Sequence, residues 1–138
     1  MRLIPILALA LGWNLPCAAD DLLVIAHPDV AISSLTPAQL SSIYLLKMIS
    51  WQGGENIVPV NREASSTARK SFSDAVLRQP PHALDAYWNQ MHFKGKVPPT
   101  VQESDQAVLA FVQKVPGAIG YVSASFAPKN VKILARVP

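Results

Sequence analysis

Cysteine is almost missing from this chain: the only thiol is Cys17, close to the start. A disulfide framework within the chain is therefore excluded. A strong charge of either sign is missing as well. The 12 Lys and Arg residues face 9 Asp and Glu, a surplus too small to mark a nucleic-acid surface. Beyond the first residues, no apolar run is long enough to span a bilayer. There is no Gly-x-Ser-x-Gly elbow to activate a serine. His27, His82 and His92 lie far apart, and none has metal-ligand spacing with a carboxylate or cysteine. Asp74 and Asp85 fall on different predicted helices and form no evident acid/base pair. These gaps argue against phosphoester hydrolysis and against any enzyme. No metal or cofactor is expected.

What is present fits a packed domain. The chain has 138 residues, 50% of them hydrophobic and 15% charged, which suits one globular core. Some of that apolar content is a leader. Met1-Arg2 is positive, Leu3 to Leu15 is apolar but too short for a span, and Cys17-Ala18-Ala19 offers small residues before Asp20. Residues 1–19 are predicted to be a signal peptide and residues 20–138 a single domain. Pro5 and Pro16 argue against a buried N-terminal helix. Pro16 also fits poorly before a lipidated Cys17. The predicted location is the periplasm.

Strand and helix signals alternate along the chain. Leu22 to Ala26 is a continuous apolar run, as in a strand buried on both faces. Thr36-Pro37 reads as N-cap and first helical residue, with Leu40, Ile43, Tyr44 and Leu46 inward. Trp51 to Gly54 is a turn. Ile57 to Val60 is a second strand, with Pro59 forcing an edge or a bulge. A helix from about Ser66 to Arg78 turns Phe72, Ala75, Val76 and Gln79 inward, and Pro80-Pro81 ends it. Another spans His82 to His92, with Leu84, Tyr87, Trp88 and Met91 as its core face. Lys94-Gly95-Lys96 lies in a solvated basic loop. Thr100 to Gln102 is a short strand, and Ser104 caps a helix through Lys114 with Val108, Phe111, Val112 and Val115 inward. Ala118 to Val122 and Val131 to Val137 complete the strands. The pattern predicts a three-layer α/β/α domain with a mixed, mostly parallel sheet.

One stretch concentrates polar chemistry. The second strand runs into Arg62, then Ser65, Ser66 and Thr67, and then a helix. Unpaired N–H groups and the positive dipole end mark a helix start as an oxyanion site. Hydroxyls add donors, and Arg62 adds a charged fork for two oxygens. The same residues also suit a Ser-capped surface helix with a solvated arginine. Ser104, opening another helix, is a weaker candidate donor across the sheet end.

Three segments carry a family resemblance. Thr36-Pro37-Ala38-Gln39-Leu40, with Ile43 through Trp51, is similar to the L-x-x-I-(F/Y)-L-G-K-I-x-x-W segment of periplasmic phosphate-binding proteins of ABC transporters. Val58 to Arg62 and the hydroxyl run resemble their R-x-x-G-S-G-T loop, and Pro116-Gly117-Ala118-Ile119-Gly120-Tyr121-Val122 matches their P-G-A-I-G-Y-V segment. The resemblance implies a type 2 periplasmic-binding-protein-like lobe. It places Arg62 at the family's oxyanion-gripping arginine and Ser66 at its loop serine. Thr67 stands where the family has glycine, Ala68 where it has threonine, and Ala64 where it often has an acid.

The resemblance implies an exported oxyanion-binding domain in ABC-type uptake or sensing. Its expected ligand residues are Arg62, Ser65, Ser66, Thr67 and Ser104. Its expected partners are a small oxyanion, phosphate first among them, and a membrane transporter or sensor. The family has two lobes, and only one is expected here. A half-cleft in contact with water holds an anion at roughly millimolar affinity, about −4 kcal/mol. A ligand-free interaction or sensor-input module of the same fold is the alternative.

Overall fold

The computed structural model describes residues 21–138, so the expected leader, residues 1–19, lies outside the described residues. The strands are β1 (Leu22–Ala26), β2 (Val58–Arg62), β3 (Thr100–Gln102), β4 (Ala118–Ser123) and β5 (Lys132–Val137). They form one open sheet in the order β3-β2-β4-β1-β5. β2 pairs in parallel with β3 and β4, and β1 pairs antiparallel with β4 and β5. β1 therefore runs against the other four strands, which share one direction. The sheet is mixed and mostly parallel, as expected.

The helices are α1 (Pro37–Tyr44), α2 (Thr67–Phe72), α3 (Asp85–Phe93) and α4 (Asp105–Lys114). Alternation along the strands sorts them into layers. In β1, Val24 and Ala26 join a core with Tyr44 of α1 and Phe72 of α2. Ile25, between them, joins a second core with Val108 and Val112 of α4. So α1 and α2 cover one face of the sheet and α4 covers the other. Gly120 lets α4 settle closely, because a Cβ there would lie 2.7 Å from Val108 Cγ1. Gly117 serves the turn before β4: its φ is +80°, and a Cβ would strike Asn56 O at 2.1 Å. Trp51 is buried, and its Nε1 donates to Gly117 O at 2.9 Å.

Several elements differ from expectation in instructive ways. β2 starts at Val58 and continues to Arg62, two residues beyond the expected end at Val60. β2 is an interior strand without a bulge at Pro59, yet on the β3 side Pro59 lies at a local edge. Val58 N–H donates to Gly117 O in the turn before β4, so the missing Pro59 donor points to the other side. There β3 begins pairing only at Val60, opposite Thr100.

α1 stops at Tyr44, and Leu46 takes a left-handed φ of 59°. The helix after the hydroxyl run changes to a π-helical turn over Ser73–Leu77. The wider turn shifts the phase of the inward stripe. Phe72, Ser73 and Val76 are buried, whereas Ala75 and Gln79, expected inward, are exposed.

The segment after Pro80 starts as a 3-10 turn over Pro81–Leu84 before becoming α3. Leu84 is buried, but Tyr87, Trp88 and Met91 are only half-buried, so their expected core face is a margin. α3 lies at the rim of the first core, where the Tyr87 hydroxyl reaches the Leu45 carbonyl. Phe111 and Val115 of the α4 stripe also pack half-buried against the second core.

The two ends of the described chain lie side by side. Leu22 of β1 pairs with Val137 of β5, and Arg136 Nε meets Asp21 Oδ2 at 2.7 Å.

Candidate functional site

The candidate site lies at the carboxyl end of β2, the end of an open α/β sheet at which ligands commonly bind. Arg62 shares the face of Val60, because side chains alternate, and that face belongs to α4. Its side chain is 13% exposed, and each of its three guanidinium nitrogens has a carboxylate partner. Nη1 donates to Asp105 Oδ1 at 2.7 Å. Nε and Nη2 donate to Glu63 Oε2 and Oε1, both at 3.2 Å, in a bidentate fork. The hydrogen bond from Arg62 is the main reason that the Glu63 carboxyl titrates below its usual range.

Asp105 is the first residue of α4, where a carboxylate suits the dipole. Ser104 is the N-cap, and its Oγ accepts from Ala107 N–H at 3.0 Å. Arg62 and the Ser104 helix start are thus brought together, with Asp105 as the link.

The main chain of Arg62 is tied to the opposite face. Its carbonyl accepts from Arg69 Nη1 at 3.0 Å. Its N–H donates to Asn61 Oδ1 at 3.0 Å and lies 3.3 Å from Tyr121 Oη. The Tyr121 hydroxyl donates to Asn61 Oδ1, and its ring stacks on Phe72 with centroids 4.1 Å apart and planes 3° from parallel. Burial pushes the Tyr121 hydroxyl pKa well above the ordinary tyrosine value. Tyr44, buried beneath, is raised for the same reason, and its hydroxyl donates to Val60 O at 2.8 Å.

The hydroxyl run sits on the α2 side. Ser66 is buried as the N-cap of α2, and its Oγ accepts from Arg69 N–H at 3.4 Å. Ser65 and Thr67 are exposed. With Ser66, Lys70 and His82 they line an open depression of about 250 Å³. A neighbouring depression of about 330 Å³ shares Ala64, Pro81 and His82 with it and adds Arg69, Asp85 and Trp88. The Arg62 side chain lines neither, because alternation sends it to the α4 face. Arg62 is therefore a pivot, with its backbone bound to the α2 side and its fork to the α4 side.

Sequence reasoning passed over Glu63, Asn61, Arg69, Asp105 and Tyr121. Two had a local signal: Arg69 lies three residues after the Ser66 cap, and Asp105 directly follows the Ser104 cap. Asn61 and Tyr121 meet across 60 positions of sequence, and no local pattern announces that. Arg69 Nε is buried without a partner among the described side chains. Among the described residues, no group of three or more His, Cys, Asp or Glu side chains is placed to hold a metal. No described helix is long and apolar enough to cross a membrane.

The structure is thus an open α/β lobe with two helix starts and an arginine at one strand end. Residues 10–136 match the family described as the PBP superfamily domain, and the chain belongs to it.

Solved structures agree on the fold. One is described as a phosphate ABC transporter substrate-binding protein with bound phosphate from Clostridium perfringens. It is 27% identical with a TM-score of 0.68, over 83% of this chain and 44% of that one. An ABC-type phosphate transport receptor from Vibrio cholerae is 24% identical with a TM-score of 0.66, over 83% and 45%. PstS from Borrelia burgdorferi is 22% identical with a TM-score of 0.66, over 84% and 47%. The chain spans less than half the length of each of these proteins.

Proposed function

We propose that this chain is an exported oxyanion-binding lobe, with phosphate as its leading ligand, that serves ABC-type uptake or sensing beside a membrane partner. One observation carries the proposal: β2 delivers Arg62 to the sheet end where α2 and α4 both begin. The described phosphate-binding relative from Clostridium perfringens supports the choice of anion. Arg62 is the charged group of the proposed site. Ser65, Ser66 and Thr67 supply hydroxyls on the α2 side, and Ser104 marks the α4 side. The chemistry is binding, with no catalytic group assigned.

A thermal-shift screen of phosphate, sulfate and phosphonate on residues 20–138 tests the proposal. An anion-specific rise in melting temperature is expected, since a ligand that binds only the folded state stabilises it. No rise at tens of millimolar would refute it. The engagement of Arg62 by Glu63 and Asp105 favours a second reading, a protein-interaction or sensor-input module without a ligand. Unchanged melting together with a co-purifying membrane partner would select that reading.

A further inference from the structure

We infer that Glu63 is a tethered internal anion that occupies the oxyanion face of Arg62 and must be displaced before a ligand binds. The inference rests on the oxyanion reading above. The Nε/Nη2 edge is one of the two bidentate edges of a guanidinium for a carboxylate or phosphate, the other being Nη1/Nη2. In Arg62 the Nε/Nη2 edge is closed by both Glu63 oxygens at 3.2 Å, while Asp105 holds the remaining Nη1 at 2.7 Å. The two carboxylates are not equivalent. Asp105 is anchored at the first residue of a ten-residue helix, whose dipole favours its charge. Glu63 lies in the turn after β2, and its side chain is the more exposed, at 30% against 23%. Glu63 is therefore the member that can swing into water, with Asp105 left to aim the fork.

A tethered carboxylate competes at high effective concentration with any dissolved anion of its own kind. A monovalent carboxylate such as acetate offers Arg62 nothing that Glu63 does not already supply. A tetrahedral anion with more charge and additional oxygens can win the exchange. Glu63 thus sets the ligand class as multivalent oxyanions and excludes simple carboxylates.

Titration calorimetry with inorganic phosphate tests this on the wild type, Glu63→Gln, Glu63→Ala and Arg62→Ala, with acetate as competitor. Phosphate is expected to bind both Glu63 variants about tenfold more tightly than the wild type. Acetate at tens of millimolar is expected to displace phosphate from the Glu63 variants and not from the wild type. Equal or weaker phosphate binding by the Glu63 variants would overturn the inference, as would acetate displacement from the wild type. If Arg62→Ala still weakens binding in that case, the oxyanion site stands without its gate. If the wild type and the Glu63 variants all fail to bind phosphate, both readings fall. Melting curves of each variant confirm that the comparison is between folded proteins.

Discussion

Arg62 joins two faces of one sheet, which makes it the most informative residue to change. Arg62→Ala is expected to remove a charge-assisted contact of about 1.5–3 kcal/mol, roughly ten- to hundredfold in oxyanion affinity. Arg62→Lys keeps the charge and loses the fork, so it should recover only part of that loss. Calorimetry at fixed ionic strength reads both. Equal affinity in the wild type and Arg62→Ala would remove Arg62 from the site.

The tyrosines beneath give a separate test. Tyr44 and Tyr121 are both raised above the ordinary value of 10.0, chiefly by burial. The folded state holds their protons more tightly than the unfolded state. Their contribution is complete below the unfolded pKa of about 10 and declines as pH rises beyond it. Urea midpoints should therefore fall between about pH 10 and 11, and Tyr121→Phe should flatten that fall.

At the scale of elements, the caps and close contacts are the testable features. Ser104→Ala removes the Oγ acceptor of Ala107 N–H and should cost about 1 kcal/mol. Gly120→Ala places a Cβ 2.7 Å from Val108 Cγ1 and should cost about 1–3 kcal/mol through displacement of α4. Denaturant midpoints measure both. A neutral Gly120→Ala would mean that α4 can move away without loss.

The same scale shows what the sequence made legible. Thr36-Pro37, Ser66 and Ser104 are chemical signals for helix starts, and each occupies an N-cap or first helical position. The apolar runs at Leu22 and Ala118 are strands because five such residues in a row leave no polar face. The π turn after Phe72 has no signal in composition, because it changes the hydrogen-bond spacing and with it the inward phase. The carboxylate partners of Arg62 escaped for two reasons. Glu63 is adjacent in sequence, where strand alternation would turn the two side chains apart, and the pair forms only because β2 ends at Arg62. Asp105 is 43 positions away and is brought close only by the α4 connection.

For the whole molecule, the match to the PBP superfamily domain covers residues 10–136 and so reaches into the proposed leader. N-terminal sequencing of the exported protein is expected to give Asp20, and a lipid-bearing start at Cys17 would overturn that assignment. The pairing of Leu22 with Val137, clamped by Asp21 and Arg136, has a consequence for engineering. Ends that meet on neighbouring strands can be joined by a short linker without bending the sheet. The exposed Gly53-Gly54 turn, with φ values of 107° and 95°, offers new ends before the start of β2 and away from its Arg62 end. A circular permutant opened there should keep the β3-β2-β4-β1-β5 order and the Arg62–Asp105 link. By the same geometry, residues 21–138 enter and leave the sheet at neighbouring strand ends, which suits them to insertion into a surface loop of another protein.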